Sequence, residues 1–126
     1  MLDFLEKRVD AVRYALQGWA YVLRTQRNAW IHALVSIAVF ALGLWLRLSR
    51  TDWALIFLAI ALVWMAEMVN TALEAIVDLA SPQQHPLAKV GKDVGAASVL
   101  IGALAAVVIG LLVLGPPLVD KLGLLP

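Results

Sequence analysis

Apolar residues fall in three long blocks along this chain, each closed by a short polar interval. The first runs from Ala29 to Leu46, interrupted only by His32 and Ser36, the second from Trp53 to Val69, and the third from Ala96 to Leu114. Each is close to the roughly 20 residues that a helix needs to cross the hydrocarbon of a bilayer. Arg47, Ser49, Arg50, Thr51 and Asp52 form a polar turn between the first two blocks. Ser81-Pro82-Gln83-Gln84-His85-Pro86 is a break, and Pro86 suits the first turn of a new helix, where its missing N–H costs nothing. Gly115-Pro116-Pro117 is expected to stop the third helix. Ahead of the blocks, Leu5, Val9, Val12, Leu16, Trp19 and Leu23 recur at spacings of four and three, while Lys7, Asp10, Arg13 and Arg24 avoid that stripe. This pattern predicts an amphipathic helix over residues 2–23, lying in a membrane interface or packed on a bundle.

The expected fold is therefore an all-α membrane protein, one domain over residues 1–126. A surface helix (2–23) is followed by transmembrane helices at about 29–46, 53–78 and 86–114. Composition agrees: 63% of the 126 residues are hydrophobic and 15% are charged, unlike an ordinary soluble domain. With no cysteine, disulfides and thiolate chemistry are excluded, and a net charge of +1 gives no reason to expect nucleic acid. The start, Met1-Leu-Asp-Phe-Leu-Glu-Lys-Arg8, lacks the basic and apolar regions of a cleaved signal, so the first span is expected to be retained. Trp19, Trp30, Trp45 and Trp53 suit aromatic belts, whereas Trp64 lies well inside its span. Gly91, Gly95, Ser98, Gly102 and Ala106 suit close helix packing. His32 reads as a packed or interface histidine.

The second block does not end in a turn. It continues as Glu67-x-x-Asn70-Thr71-Ala-x-Glu74-x-x-x-Asp78, and at about 100° per residue these polar groups share roughly one quarter of a helix's circumference. Carboxylates are expensive at membrane depth, which makes them candidates for function. Singly, Glu74 and Asp78 could be interfacial acids, Asn70 and Thr71 helix-packing groups, and Lys89 and Lys92 ordinary anchors. Stacked on one stripe, the acids are best explained by a shared cation. With three spans, Lys7, Arg8, Arg13, Arg24, Arg27, Lys89 and Lys92 lie on one side, and Arg47, Arg50 and Lys121 on the other. The excess of positive charge predicts a cytoplasmic N-terminus in a multi-pass plasma-membrane protein. The stripe then ends at the cytosolic edge, facing Lys89-Val-Gly-Lys92-Asp93, Arg24-Thr-Gln26-Arg27-Asn28 and the Arg13–Tyr14 part of the first helix. Carboxylates beside lysines and arginines suit magnesium-dependent phosphoryl transfer, although no Gly-rich phosphate loop is present.

Beyond this, Glu67-x-x-Asn70-Thr71-Ala-x-Glu74-x-x-x-Asp78 followed by His85-Pro-Leu-Ala-Lys89-x-x-Lys92-Asp93 resembles the signature of the prokaryotic diacylglycerol kinase / undecaprenol kinase family, small membrane lipid kinases. Tyr14-Ala-x-x-Gly18, Arg27-Asn28 and His32 extend the resemblance over most of the chain. The wording His85-Pro-Leu-Ala-Lys89 looks closer to the undecaprenol kinase branch. The resemblance implies a homotrimer that uses Mg2+ and transfers the γ-phosphoryl group of ATP to a lipid alcohol. It implies Glu67 as general base, Glu74 on the magnesium, and Asn70 and Asp78 in support. Lys92 and Asp93 would lie at the nucleotide phosphates, Gln83, Gln84 and His85 along the nucleotide, and Tyr14 would approach it from the surface helix. Gln26 stands where the family usually has a glutamate that is a second metal ligand. An amide keeps a ligating oxygen but loses the charge, so either metal affinity falls or the chain is a catalytically impaired member. A small proton-coupled transporter with Glu67 as its proton site is the reading from another class.

Overall fold

Polar residues set the helix starts. Gln26 is the only residue between the first helix, α1 (Leu2–Thr25), and the second, α2 (Arg27–Leu46), and its backbone is extended, with φ −103° and ψ 117°. Arg47 leaves α2 in the left-handed region at φ 57°. Ser49 then opens α3 (Arg50–Ala80) with a capping box: its hydroxyl accepts from the Asp52 N–H, and the Asp52 carboxylate accepts from the Ser49 N–H. Such a cap contributes about 1 kcal/mol. His85 caps α4 (Pro86–Leu122), its Nδ1 accepting from the Leu87 N–H, and Pro86 occupies the first turn. The computed structural model describes residues 1–83 and 85–124.

Three of these helices, α2, α3 and α4, are long and apolar enough to cross a membrane. The 31 residues of α3 and the 37 of α4 give lengths of about 46 and 55 Å. Both exceed the roughly 30 Å of hydrocarbon. α3 and α4 are the principal packed pair, with α2 against both. Small residues of α4 allow the close approach: Gly95 faces Asn70, and Gly102 faces Ala66 and the backbone of α3. Leu46, Ile56, Val113 and Leu114 form the buried cluster at the far end, joined by Trp53 and Leu118. Phe40 stacks on Trp53 at 5.4 Å beside it. Outside this thin core, Leu34, Ile37, Leu58, Ile101 and Leu111 stand exposed. Lipid is the solvent for such a surface, and the chain is a multi-pass, all-helical membrane protein.

The expectation that the proline pair ends the last helix is overturned: α4 passes through Pro116 and Pro117 to Leu122. Each proline lacks an N–H and forfeits one rung of the helical ladder, a cost of about 3 kcal/mol in an ordinary helix interior. Tertiary contacts hold the last turns. Leu118 packs on the buried cluster. The Lys121 ammonium donates to the Trp45 carbonyl at 2.6 Å and sits 4.6 Å from the centre of its ring. Gly123, at φ +63°, then closes the helix in the left-handed conformation.

Among the described residues, α1 is anchored at its C-terminal end. Val22 is buried, and the Trp19 ring lies 4.6 Å from that of Trp64 on α3. Leu5, Val9, Val12 and Leu16 of the apolar stripe remain exposed.

Candidate functional site

The polar stripe of α3 changes character along its length. Glu67 is 1% exposed and Asn70 6%, Glu74 is half-buried, and Asp78 is open. The stripe thus climbs from a dry interior to the edge of the bundle, where α1 turns into α2 and α4 begins.

The one-residue corner between α1 and α2 directs the Gln26 side chain at α3. Its Nε2 donates to Glu74 Oε2 at 3.0 Å, across 48 positions of sequence. Asn70, one turn before Glu74, donates from Nδ2 to Glu74 Oε1 at 3.1 Å. Both oxygens of one carboxylate are therefore oriented by amides, one from the α1–α2 corner and one from α3 itself. Asn70 Oδ1 is buried with no hydrogen-bond partner among the described residues. Gly95 faces it so closely that a Cβ there would overlap it.

Deeper in, Glu67 Oε2 and His32 Nε2 face each other at 3.7 Å, too far for a hydrogen bond. Both are buried without a partner among the described residues. His32 was read from sequence as a packing residue, yet it points at the most buried carboxylate of the chain. The signal available was its isolation: His32 and Ser36 are the only polar interruptions of their block, one turn apart on the same face. The buried Thr71 hydroxyl donates to the Glu67 carbonyl within α3 and makes no interhelical hydrogen bond among the described residues.

Gln26, Asn28, His32, Glu67, Asn70 and Glu74 line a common cavity of about 280 Å³, closed on the α4 side by Ala96 and Val99. A larger apolar cavity of about 520 Å³ lies between α2, α3 and α4 and shares the wall of Ile31, His32 and Ala103. Among the described residues, the others singled out from sequence do not line the polar cavity. Lys92 of α4 pairs with Asp78 of α3, and Asp93 pairs with Lys89 one turn before it. Tyr14 is exposed on α1, Gln83 accepts from the Ser81 hydroxyl at the end of α3, and His85 caps α4. Gln84 lies outside the described residues.

The donors fit a hard cation with limits. Among the described residues no three His, Cys, Asp or Glu side chains cluster closely enough to cage a metal. The Glu74 carboxylate, the unpartnered Asn70 Oδ1 and the Gln26 amide are oxygen donors in one place. Magnesium uses one or two carboxylates and takes its remaining ligands from water and phosphate. The set therefore suits a metal that arrives with a phosphate ligand better than one caged by protein.

Comparison with known proteins identifies the chain's family and relatives. Residues 13–114 match the family model described as prokaryotic diacylglycerol kinase. The chain is similar to a protein named diacylglycerol kinase in Synechocystis sp., with 44% identity over 109 residues, 86% of this chain and 62% of that protein. It thus spans less than two thirds of that relative's length. A Bacillus subtilis protein named undecaprenol kinase is 42% identical over 105 residues, 83% of this chain and 85% of its own length. A Pseudomonas aeruginosa protein named diacylglycerol kinase is 31% identical over 94 residues, 75% and 76% of the two chains.

Proposed function

The chain belongs to the prokaryotic diacylglycerol kinase family, and from that premise we propose that it is a membrane lipid kinase. It transfers the γ-phosphoryl group of ATP to the hydroxyl of a lipid alcohol, undecaprenol or diacylglycerol, giving undecaprenyl phosphate or phosphatidic acid and ADP. One observation carries this reading: two carboxylates of different exposure, Glu67 and Glu74, line a single cavity with Gln26 and Asn70. They are seven residues apart on one helix face, about 10 Å along the axis.

The roles divide by depth. Glu67 lies about 26 Å along α3 from its start, near the inner boundary of the hydrocarbon. There it accepts the proton of a lipid hydroxyl as general base. Glu74, held by Gln26 and Asn70, is placed to bind the magnesium that accompanies ATP. The metal supplies charge neutralisation for the triphosphate. Lys92 exchanges its ion pair with Asp78 for the nucleotide phosphates when ATP binds, with Asp93 beside it on α4. Gln83, Gln84, His85 and Tyr14 lie along the nucleotide as the resemblance implies. The apolar cavity continues the polar one at His32, and its occupant is the acceptor's hydrocarbon chain entering sideways from the bilayer. Such a site works by positioning and electrostatics, without a covalent intermediate.

The family resemblance also supports a homotrimer, and the thin core of a single chain leaves apolar helix faces for such packing. Seven lysines and arginines on the side of the site against three on the other support a plasma-membrane protein with a cytoplasmic N-terminus and site. No observation favours the transporter alternative, whose acids would surround a midplane between paired repeats.

The test is a phosphorylation assay on the purified protein with labelled ATP, magnesium, and undecaprenol and diacylglycerol offered side by side. Label is expected in one lipid product, and that product identifies the acceptor. No magnesium-dependent label in either lipid would refute the kinase reading.

A further inference from the structure

We propose that His32 is a positioning residue for Glu67. Its Nε2, unprotonated and facing the carboxylate, takes up the proton that Glu67 removes from the acceptor hydroxyl. The inference rests on the kinase reading and adds to it a residue that the sequence assigns to packing.

The two groups lie at the same depth and face each other. Glu67 Oε2 and His32 Nε2 are 3.7 Å apart, and each is buried without a partner among the described residues. Each of these buried polar atoms, left unpaired, forfeits a hydrogen bond that water would have made. Their convergence on one gap is therefore a geometry the fold sustains against a penalty. A hydrogen of either group, or of a hydroxyl entering between them, would satisfy both atoms.

Trp64 flanks the imidazole, and Ser36 ties Trp64 to the helix that carries it. Ser36, one turn on, donates its hydroxyl to the His32 carbonyl at 2.7 Å and receives the Trp64 indole N–H at 3.4 Å. The Trp64 ring meets the imidazole edge-on at 6.2 Å, and the Trp19 ring of α1 lies 4.6 Å from Trp64. This explains the tryptophan that lies too deep for an aromatic belt. It forms the back wall of the histidine and ties the surface helix to it.

The chemistry needs such a partner. The hydroxyl oxygen attacks the γ-phosphorus, the bond from that phosphorus to the β–γ bridging oxygen breaks, and ADP leaves with the electron pair. The hydroxyl proton passes to Glu67 Oε2. Glu67 is 1% exposed, so bulk water cannot readily take that proton. A neutral imidazole accepts it through one nitrogen, which restores the carboxylate. The proton then leaves through the mouth of the cavity beside Gln26 and Asn28, to water.

The experiment compares His32→Ala and His32→Gln with the wild type in the lipid phosphorylation assay, and then repeats His32→Ala with added imidazole. In both variants kcat is expected to fall about tenfold or more while KM for ATP stays within twofold. Imidazole is expected to restore part of the lost rate in His32→Ala in proportion to its concentration. Wild-type kcat in either variant, or a loss that imidazole leaves untouched in a folded His32→Ala, overturns the proposal and returns His32 to packing. Should His32→Ala unfold, the split between kcat and KM in His32→Gln decides alone. A wild type that phosphorylates no lipid refutes the kinase reading instead, so the two failures are distinguishable.

Discussion

Replacing Gln26 by glutamate sets a second carboxylate against Glu74. The present amide donates to Glu74 Oε2 at 3.0 Å, so the new charge would stand about 4 Å from the old one. At that separation two like charges repel by about 1 kcal/mol in water and about 4 kcal/mol at an effective dielectric constant of 20. Glu74 and Gln26 are half-buried, which puts the repulsion between those limits. Without a metal, Gln26→Glu should therefore be less stable than the wild type by an amount in that range. A divalent cation at a similar distance reverses the sign and doubles the product of charges, giving about 2 kcal/mol even at the water limit, or roughly thirtyfold in metal affinity. The assay is lipid phosphorylation against free magnesium at saturating ATP, with thermal unfolding in detergent at each magnesium concentration. The half-saturating magnesium should fall at least about tenfold. The unfolding midpoint should start below the wild type and rise with magnesium. Superimposable titrations, with no magnesium-dependent shift in unfolding, would show that Gln26 and Glu74 do not hold the metal.

The helix approach at Gly95 makes a separate prediction. A Cβ there would overlap Asn70 Oδ1, so Gly95→Ala should separate α3 from α4 or turn the Asn70 amide off Glu74. Either way the unfolding midpoint falls and the half-saturating magnesium rises, and an unchanged pair of values would contradict the packing described. At the other end of α4, Pro116→Ala restores an N–H to a helix that is continuous here. The variant should unfold at higher temperature with activity unchanged, and a lower midpoint would mean that the proline stabilises a bend.

Local pattern carried much of this molecule, and what it missed has physical causes. The four helices follow from hydrophobic blocks and from caps such as Ser49 and Pro86, because those signals act within a few residues. The Glu67–Asp78 stripe was legible for the same reason, since helical periodicity alone puts its members on one face. The proline pair misled because the contacts that carry α4 past it, Lys121 to Trp45 and Leu118 to the buried cluster, come from residues remote in sequence. The same limit hid His32, which faces Glu67 on the next helix and whose orientation depends on how α2 packs against α3. The family resemblance implies Gln26 and Glu74 at one metal, but their direct hydrogen bond across 48 positions is encoded in no local spacing. The cross-helix Lys92–Asp78 pair depends on the relative register of α3 and α4, which no local spacing encodes.

The division of labour along α3 is tested most directly by measuring magnesium-dependent ATP binding and lipid phosphorylation on Glu67→Gln and Glu74→Ala in parallel. The account predicts that Glu67→Gln binds magnesium–ATP like the wild type but loses turnover by about a hundredfold or more, whereas Glu74→Ala loses both. Wild-type turnover in Glu67→Gln, or undiminished magnesium-dependent binding in Glu74→Ala, would contradict it.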